Sequence, residues 1–466
     1  MALGNDAAVQ TMRRRTRVLQ VDASKIGHFV FDDHQQSFLG NWKIQLFEDS
    51  PDAANVLEAA SQLRDSDLPV AFPTETVYGL GADATRSSAV RGIYNAKQRP
   101  LDNPLIIHVS SLSQLRNLLI PSNPTAPSLN SPQDTVPEIY HPLISRFWPG
   151  PLTILIPLPI PSPLAPEVTT SLPTVAVRMP SSPLALALIQ LAGVPLAAPS
   201  ANASSRPSPT TAAHVLHDLS GSIDLILDGG PCTVGVESTV VDGLTSPPVI
   251  LRPGGVSIGM LRDCPGWEDV RVAYNDGAES GVPRAPGMKY KHYSPNAKVL
   301  LFHGQWDATL VKGRPTGGSI GVLRTKTWNV GHLRMNLQSS KDTGISEPNG
   351  HPYLRNRNSH QTRESLAGRT EIEDIRQQSS LSSGSSAQLY QVYLGDEPEQ
   401  IMTDLWTIGL GPDTADIARG LFSALRELDQ KGVDIICVEG INDNEGDAAA
   451  AVMNRLRKAA EAEINL

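Results

Sequence analysis

The sequence predicts an α/β protein built from two unequal units, and three observations carry that prediction. At 466 residues the chain is longer than one hydrophobic core usually organises. From residue 55 onward, apolar runs of strand length alternate with amphipathic stretches of helix length, the pattern of layered α/β architecture. A polar, Gly-containing stretch at 272–283 and a run dense in Lys, His and Tyr at 284–295 interrupt the alternation before a second one begins. The expected organisation is an N-terminal extension over 1–54, a larger unit over 55–271, a linker over 272–297 and a smaller unit over 298–466.

In the larger unit, 56–64 has the period of an amphipathic helix and 68–72 reads as extended. A helix at 89–97 precedes a strand at 104–109. The segment 120–137 is rich in Pro and Ser, lacks an apolar period and reads as a surface insertion. Strands are predicted at 152–158, 174–178, 195–198, 223–227, 239–241 and 249–251, with helices at 184–192 and 212–219. In the smaller unit, strands at 298–302, 319–323, 389–393 and 434–438 combine with helices at 414–428 and 447–462. Between them, 329–388 is rich in Ser, Arg, Asn and Gln and poor in aromatics. Such a composition buries too little apolar surface to offset chain entropy, so a disordered insertion is expected. No repeat of fixed period is visible.

Composition narrows the function. The net charge of -9 argues against binding long nucleic acids by bulk electrostatics, but not against a local basic cleft. The three cysteines, Cys232, Cys264 and Cys437, form no CxxC pair, which suggests neither a zinc site nor a disulfide framework and fits a reducing compartment. The most apolar run, 183–201, contains Gln190, Pro195 and Pro199, so it reads as a buried helix and strand rather than a membrane span. Arg13, Arg14, Arg15 and Arg17 precede no long apolar region, which argues against a secretory signal. Asp6 and a strand-like 17–21 favour the cytoplasm, with a mitochondrial pool left open.

Four constellations carry candidate chemistry. The run Pro73, Thr74, Glu75, Thr76, Val77, Tyr78, Gly79, Leu80, Gly81 reads as a strand end entering a turn. Its glycines would let backbone amides approach a ligand, or would simply make the turn. Lys97 and Arg99 follow a helix, where they can clamp phosphates or merely complement the helix dipole; Asn103 and His108 follow. Arg178 ends an apolar strand that begins at Thr174, and a charge buried there needs an anionic partner from the protein or a ligand. Ala198, Ser200 and Ser208 lie beyond. Finally, Ser238 and Arg252 sit at strand ends, within a Gly235, Val236, Glu237, Ser238, Thr239 run and before Pro253, Gly254 and Gly255. Converging Lys97, Arg99, Arg178, Arg252, Lys289 and Lys291 would make a cleft for a compact polyanion. A P-loop, a strand-to-helix GxGxxG and an HExxH helix are missing from the sequence.

With these residues in place, the chain resembles the YrdC family, specifically its two-domain members that make threonylcarbamoyl-adenylate. The likeness covers about 55–266, the linker run Ala285, Pro286, Gly287, Met288, Lys289, Tyr290, Lys291, His292, Tyr293, Ser294, Pro295, and a Rossmann-like unit to residue 466. It implies a YrdC-like twisted open α/β domain with a concave basic cleft, plus a smaller Rossmann-like α/β domain. It also implies the formation of L-threonylcarbamoyladenylate and pyrophosphate from L-threonine, bicarbonate or CO2, and ATP, with Mg²⁺ held mainly through the phosphates. The product would serve a tRNA threonylcarbamoyl-transfer complex acting beside the anticodon, with at most weak direct RNA contact.

By this resemblance Thr76, His108, Arg178, Ala198 and Ser238 surround threonine. Arg99, Asn103, Thr174, Ser200, Ser208, Arg252 and Tyr293 contact ATP, and Lys97 with Arg99 are the candidates for a direct catalytic role. No side chain would ligate a resident metal. Two other readings compete: an RNA-binding translation module, opposed by the acidic balance and the lack of aromatics around the cations, and a carbamoyl-adenylating carbamoyltransferase. The latter resemble chains with cysteine-rich zinc modules, which three scattered cysteines do not make.

Overall fold

The computed structural model describes residues 15–32, 37–121, 135–273, 292–304, 318–328, 386–394 and 401–465. Its strands in chain order are β1 (Arg17–Gln20), β2 (Gly27–Phe31), β3 (Trp42–Leu46), β4 (Val70–Phe72), β5 (Gly79–Asp83), β6 (Ile106–His108), β7 (Leu152–Pro157), β8 (Thr174–Arg178), β9 (Leu196–Ala197), β10 (Leu225–Asp228), β11 (Thr239–Asp242), β12 (Val249–Arg252) and β13 (Arg271–Val272) in the larger unit. The smaller unit holds β14 (Lys298–His303), β15 (Ile320–Arg324), β16 (Gln388–Leu394), β17 (Ile401–Gly409), β18 (Ile435–Glu439) and β19 (Ala462–Asn465). An 11-stranded mixed sheet in the order β1-β10-β4-β5-β9-β6-β8-β7-β11-β12-β13 forms the first unit, and a six-stranded sheet in the order β16-β17-β15-β18-β14-β19 forms the second. In the second sheet, β15, β18, β14 and β19 run parallel, as a Rossmann-like layout requires.

Strand β8 lies between β6 and β7 and is covered on both faces, which is why its sequence reads as an unbroken apolar run ending in Arg178. The helix Pro183–Ala192 is capped by Ser182, carries proline at its first turn and stops at Gly193 in the left-handed region. It is buried on nearly every side, as its uniform hydrophobicity predicts. None of the helices among the described residues is long and apolar enough to cross a membrane.

Several features differ from the sequence reading. Residues 79–83 form β5 and pair antiparallel with β4, so the glycine run is a hairpin strand rather than an open turn. A Cβ on Gly81 would come within 2.7 Å of the Phe72 ring, so packing requires that glycine. The boundary at 54/55 falls inside the helix Pro51–Asp65, and β1 pairs with β10 at the edge of the large sheet. The β2–β3 hairpin and the nine-residue β17 were not predicted. Thr403, Asp404 and Thr407 hide β17 from hydropathy, and pairing with β15 and β16 on its two sides holds it in the sheet. The expected insertion at 120–137 lies outside the described residues over 122–134, the linker over 274–291, and the 329–388 insertion over 329–385.

The two units share a core. Val77, Val236 and Tyr293 from the larger unit and linker pack with Ile417, Leu421, Phe422 and Leu456 from two helices of the smaller unit, Thr414–Gln430 and Ala449–Ala459. Polar contacts seal the same surface: Arg426 forms a buried two-point ion pair with Asp218, at 3.0 and 2.7 Å. Gly235 sits at φ +83°, and a Cβ there would lie 2.3 Å from the Arg419 backbone. The approach of the second unit to the first therefore depends on that glycine.

Candidate active site

Strand ends build the site. His108 and Arg178 are the last residues of the parallel neighbours β6 and β8 and stand side by side in register. Arg252 ends β12, paired with Val240 of β11, and Ser238 immediately precedes β11. The turn after β4 contributes Thr74 and Thr76, and the chain beyond β9 contributes Ala198 and Ser200. At Gln98 the helix Ser87–Lys97 ends in the left-handed region, at φ 52°, which turns Arg99 away from the helix and toward the same space. Together these residues line a cavity partly open to solvent, with Glu237, His292 and Tyr293 completing its wall.

Arg178 is almost completely buried, and its partner is Glu75, which is distant in sequence. The guanidinium donates from Nη2 to Glu75, from Nη1 to Thr76 Oγ1 at 2.8 Å, and from Nε to the Gly150 carbonyl at 3.1 Å. Glu75 is held in turn by the Ser181 amide at 3.1 Å. Three of the five guanidinium N–H groups are thus engaged. Of the two kinds of partner open to Arg178, the protein itself therefore supplies one, an acid 103 residues away in sequence.

Arg252 donates to the Ser238 carbonyl at 3.0 Å and to Ser238 Oγ at 3.1 Å, while Ser238 Oγ also meets Thr153 Oγ1 at 2.8 Å. Arg99 is held by two backbone carbonyls, of Asn103 at 3.4 Å and Pro104 at 3.1 Å. Burial lowers both Arg99 and Arg252 to about 10. Burial, assisted by Arg178, also lowers His108 to about 3, so its imidazole is neutral, and its buried Nδ1 has no partner among the described residues.

Glu237 was not singled out in the sequence, although it sits inside the quoted motif. Burial would raise its carboxyl, but Arg455 and Arg252 together with the Ser208 hydroxyl overcome that and hold it at about 2. His292 and Tyr293 stack with centroids 4.4 Å apart, and Tyr293 sits at φ 64°. The His292 amide donates to the Lys458 carbonyl at 3.2 Å and the Ser294 amide to the Ser205 carbonyl at 2.8 Å, so this end of the linker is tied to both units.

Four expected site residues do not line the cavity. Lys97 is buried behind it, with Nζ donating to the carbonyls of Ser200 and Asn202, and burial pushes its pKa well below the usual lysine range. Asn103 contributes its carbonyl to Arg99 and Tyr94, and its buried Oδ1 has no partner among the described residues. Thr174 lies at the opposite end of β8 from Arg178, paired with Pro157, about 13 Å away by strand rise. Ser208 is enclosed and reaches the site only through Glu237. Lys289 and Lys291 lie outside the described residues. Among the described residues, no three His, Cys, Asp or Glu side chains converge to hold a metal ion.

Comparisons agree with this geometry. A family model for the Sua5, YciO and YrdC proteins, described as "Telomere recombination", matches residues 62–254. A second, described as "Threonylcarbamoyl-AMP synthase, C-terminal domain", matches residues 256–461. The chain is 44% identical to the threonylcarbamoyl-AMP synthase of Schizosaccharomyces pombe, covering 86% of this chain and 87% of that protein. It is 38% identical to the Bacillus subtilis enzyme, over 90% of this chain and 97% of the relative. The crystal structure of Pyrococcus abyssi Sua5 complexed with L-threonine superposes with a TM-score of 0.65 at 32% identity, covering 97% of this chain and all of the other. The chain therefore belongs to the two-domain threonylcarbamoyl-AMP synthase family.

Proposed function

We propose that this chain forms L-threonylcarbamoyl-AMP and pyrophosphate from L-threonine, bicarbonate or CO2, and ATP. The observation that carries this reading is the convergence of Arg99, Arg178 and Arg252, from three separate segments, on one cavity beside a neutral His108. Buried guanidinium groups at this density favour an anionic occupant, and a triphosphate beside an amino-acid carboxylate fits that requirement.

The N–H groups of Arg178 not committed to protein partners suit the threonine carboxylate. Thr76, Ser238 and His108 offer polar atoms to the rest of the amino acid, and Ala198 provides an apolar wall. Arg99, Arg252, Ser200 and Tyr293, which line the same cavity, are left for the nucleotide. The threonine amine captures CO2 as a carbamate and loses a proton to solvent. A carbamate oxygen then bonds to the α-phosphorus as the bond to the β-phosphate bridging oxygen breaks, and the electron pair leaves on pyrophosphate.

Among the described side chains around the cavity there is no ready general base: His108 and His292 are very weak bases, and Glu237 is committed to Arg455 and Ser208. Catalysis by positioning and by charge stabilisation of the departing pyrophosphate follows. Lys97 supports this by fixing the Ser200 to Asn202 backbone rather than by touching the reacting atoms. Mg²⁺ enters as part of the nucleotide substrate, through phosphate oxygens. The product serves threonylcarbamoylation of a tRNA adenosine by a downstream complex. Three free, buried thiols fit a cytoplasmic site of action.

Pyrophosphate release by the purified chain tests the reading. It should require ATP, threonine and bicarbonate together, and equal release without threonine overturns it.

A further inference from the structure

Arg455 belongs to the helix Ala449–Ala459 of the smaller unit, yet its side chain is fully enclosed against the wall of the cavity. Its Nε donates to Glu237 Oε2 at 2.9 Å, Nη1 donates to the Pro253 carbonyl, and Nη2 donates to the Glu237 carbonyl at 3.4 Å. The guanidinium carbon lies 5.9 Å from the centroid of the Tyr293 ring. Glu237 and Tyr293 line the cavity, and Pro253 directly follows Arg252. The second oxygen of Glu237 accepts from Ser208, so the carboxylate is gripped from both units.

Backbone packing carries this grip toward the ligand space. A Cβ on Gly254 would stand 2.2 Å from the Thr239 amide nitrogen and 2.4 Å from the Glu237 carbonyl oxygen, so the Pro253–Gly254 backbone lies directly on the Glu237 to Thr239 backbone. Arg252, at one edge of this pair, donates to Ser238 at the other. Of the residues assigned to threonine, Ser238 takes part in these contacts, whereas Thr76, His108 and the Arg178–Glu75 pair do not.

We propose that Arg455 is a positioning residue for the nucleotide half of the site. From the smaller unit it fixes Glu237, the Pro253 carbonyl and the Tyr293 ring, and so holds Arg252 on the triphosphate, while Thr76, His108 and Arg178 of the threonine half lie off this path. Only a guanidinium has the fork of donors that meets a carboxylate and two carbonyls while lying beside an aromatic ring; an ammonium does not. The inference rests on the ATP assignment made above.

The test uses the full chain with Arg455→Met, Arg455→Lys and, as an interface control, Arg426→Met, whose lost ion pair joins the same two units away from the cavity. Pyrophosphate release is measured against ATP and against threonine, with unfolding temperature recorded for each variant. Arg455→Met should raise the ATP KM about tenfold or more, with the threonine KM within about threefold, a contrast expected when one partner of a buried charged pair is removed. Arg455→Lys should fall between, and it carries the test if the methionine variant does not fold. Arg426→Met should lower the unfolding temperature without raising the ATP KM.

Equal increases in both KM values, or the same ATP effect from Arg426→Met, overturn the proposal in favour of general loosening. Calorimetric binding of ATP to each variant reads the same contrast without turnover. Failure of the wild-type chain to release pyrophosphate would thus reject the function, while unchanged ATP binding in Arg455→Met would reject the role of Arg455.

Discussion

Replacing Arg178 by alanine perturbs two things at once, and the structure separates their magnitudes. The guanidinium is 3% exposed and ion-paired with Glu75, itself buried. Removing one partner of a buried pair costs about 3–5 kcal/mol because the other charge is left uncompensated. At about 2–4 °C per kcal/mol for units of this size, the unfolding temperature should fall by roughly 6–20 °C. The second effect is on threonine: loss of a charge-assisted contact of about 2–3 kcal/mol raises the threonine KM by about 30- to 150-fold. Arg178→Met combined with Glu75→Gln removes both buried charges and should recover most of the stability without recovering threonine affinity. Steady-state pyrophosphate release with threonine and ATP varied separately, alongside thermal unfolding, reads both effects. A threonine KM restored in the double variant, or an ATP KM that rises more than the threonine KM, would refute the assignment of Arg178.

Acid should destabilise the fold early. His108, His214 and His292 are each lowered to about 3 from the usual 6.5, burial being the first cause in all three. Between those values the unfolded chain binds more protons than the folded one, so stability falls as pH drops below 6.5, by up to about 1.4 kcal/mol per pH unit for each histidine. Glu237, held at about 2 against a usual 4.5, adds to the loss below pH 4.5. Denaturant unfolding at pH 7 and pH 5 measures the slope, His214→Gln should reduce it by about a third, and equal stability at the two values would contradict it. Lys97→Met should raise the ATP KM through the Ser200 to Asn202 backbone while leaving kcat within about tenfold; loss of kcat with unchanged KM values would make Lys97 a direct participant. Gly254→Ala forces a Cβ to within 2.4 Å of three backbone atoms at Glu237 to Thr239, so it should weaken ATP binding by at least about tenfold, checked by calorimetry.

The sequence by itself determined the α/β class and most individual elements, because buried strands such as 174–178 and helices such as 183–192 write their environment directly into local hydropathy. It also marked Thr76, Arg99, His108, Arg178, Ser238 and Arg252, since charged or polar residues at the ends of apolar strands are conspicuous. Local pattern could not reveal what each one touches. Glu75 neutralises Arg178 from the turn after β4, and Thr174, four residues from Arg178, stands at the opposite end of the same strand. Lys97, at the end of its helix, is a candidate phosphate clamp in the sequence, yet tertiary packing encloses its ammonium among backbone carbonyls. Most of all, Arg455 reaches Glu237 from 218 residues away, and no period or spacing encodes that approach. Covalent order fixes which residues lie on one strand, whereas charge compensation in a buried site is settled between strands, and here between two units.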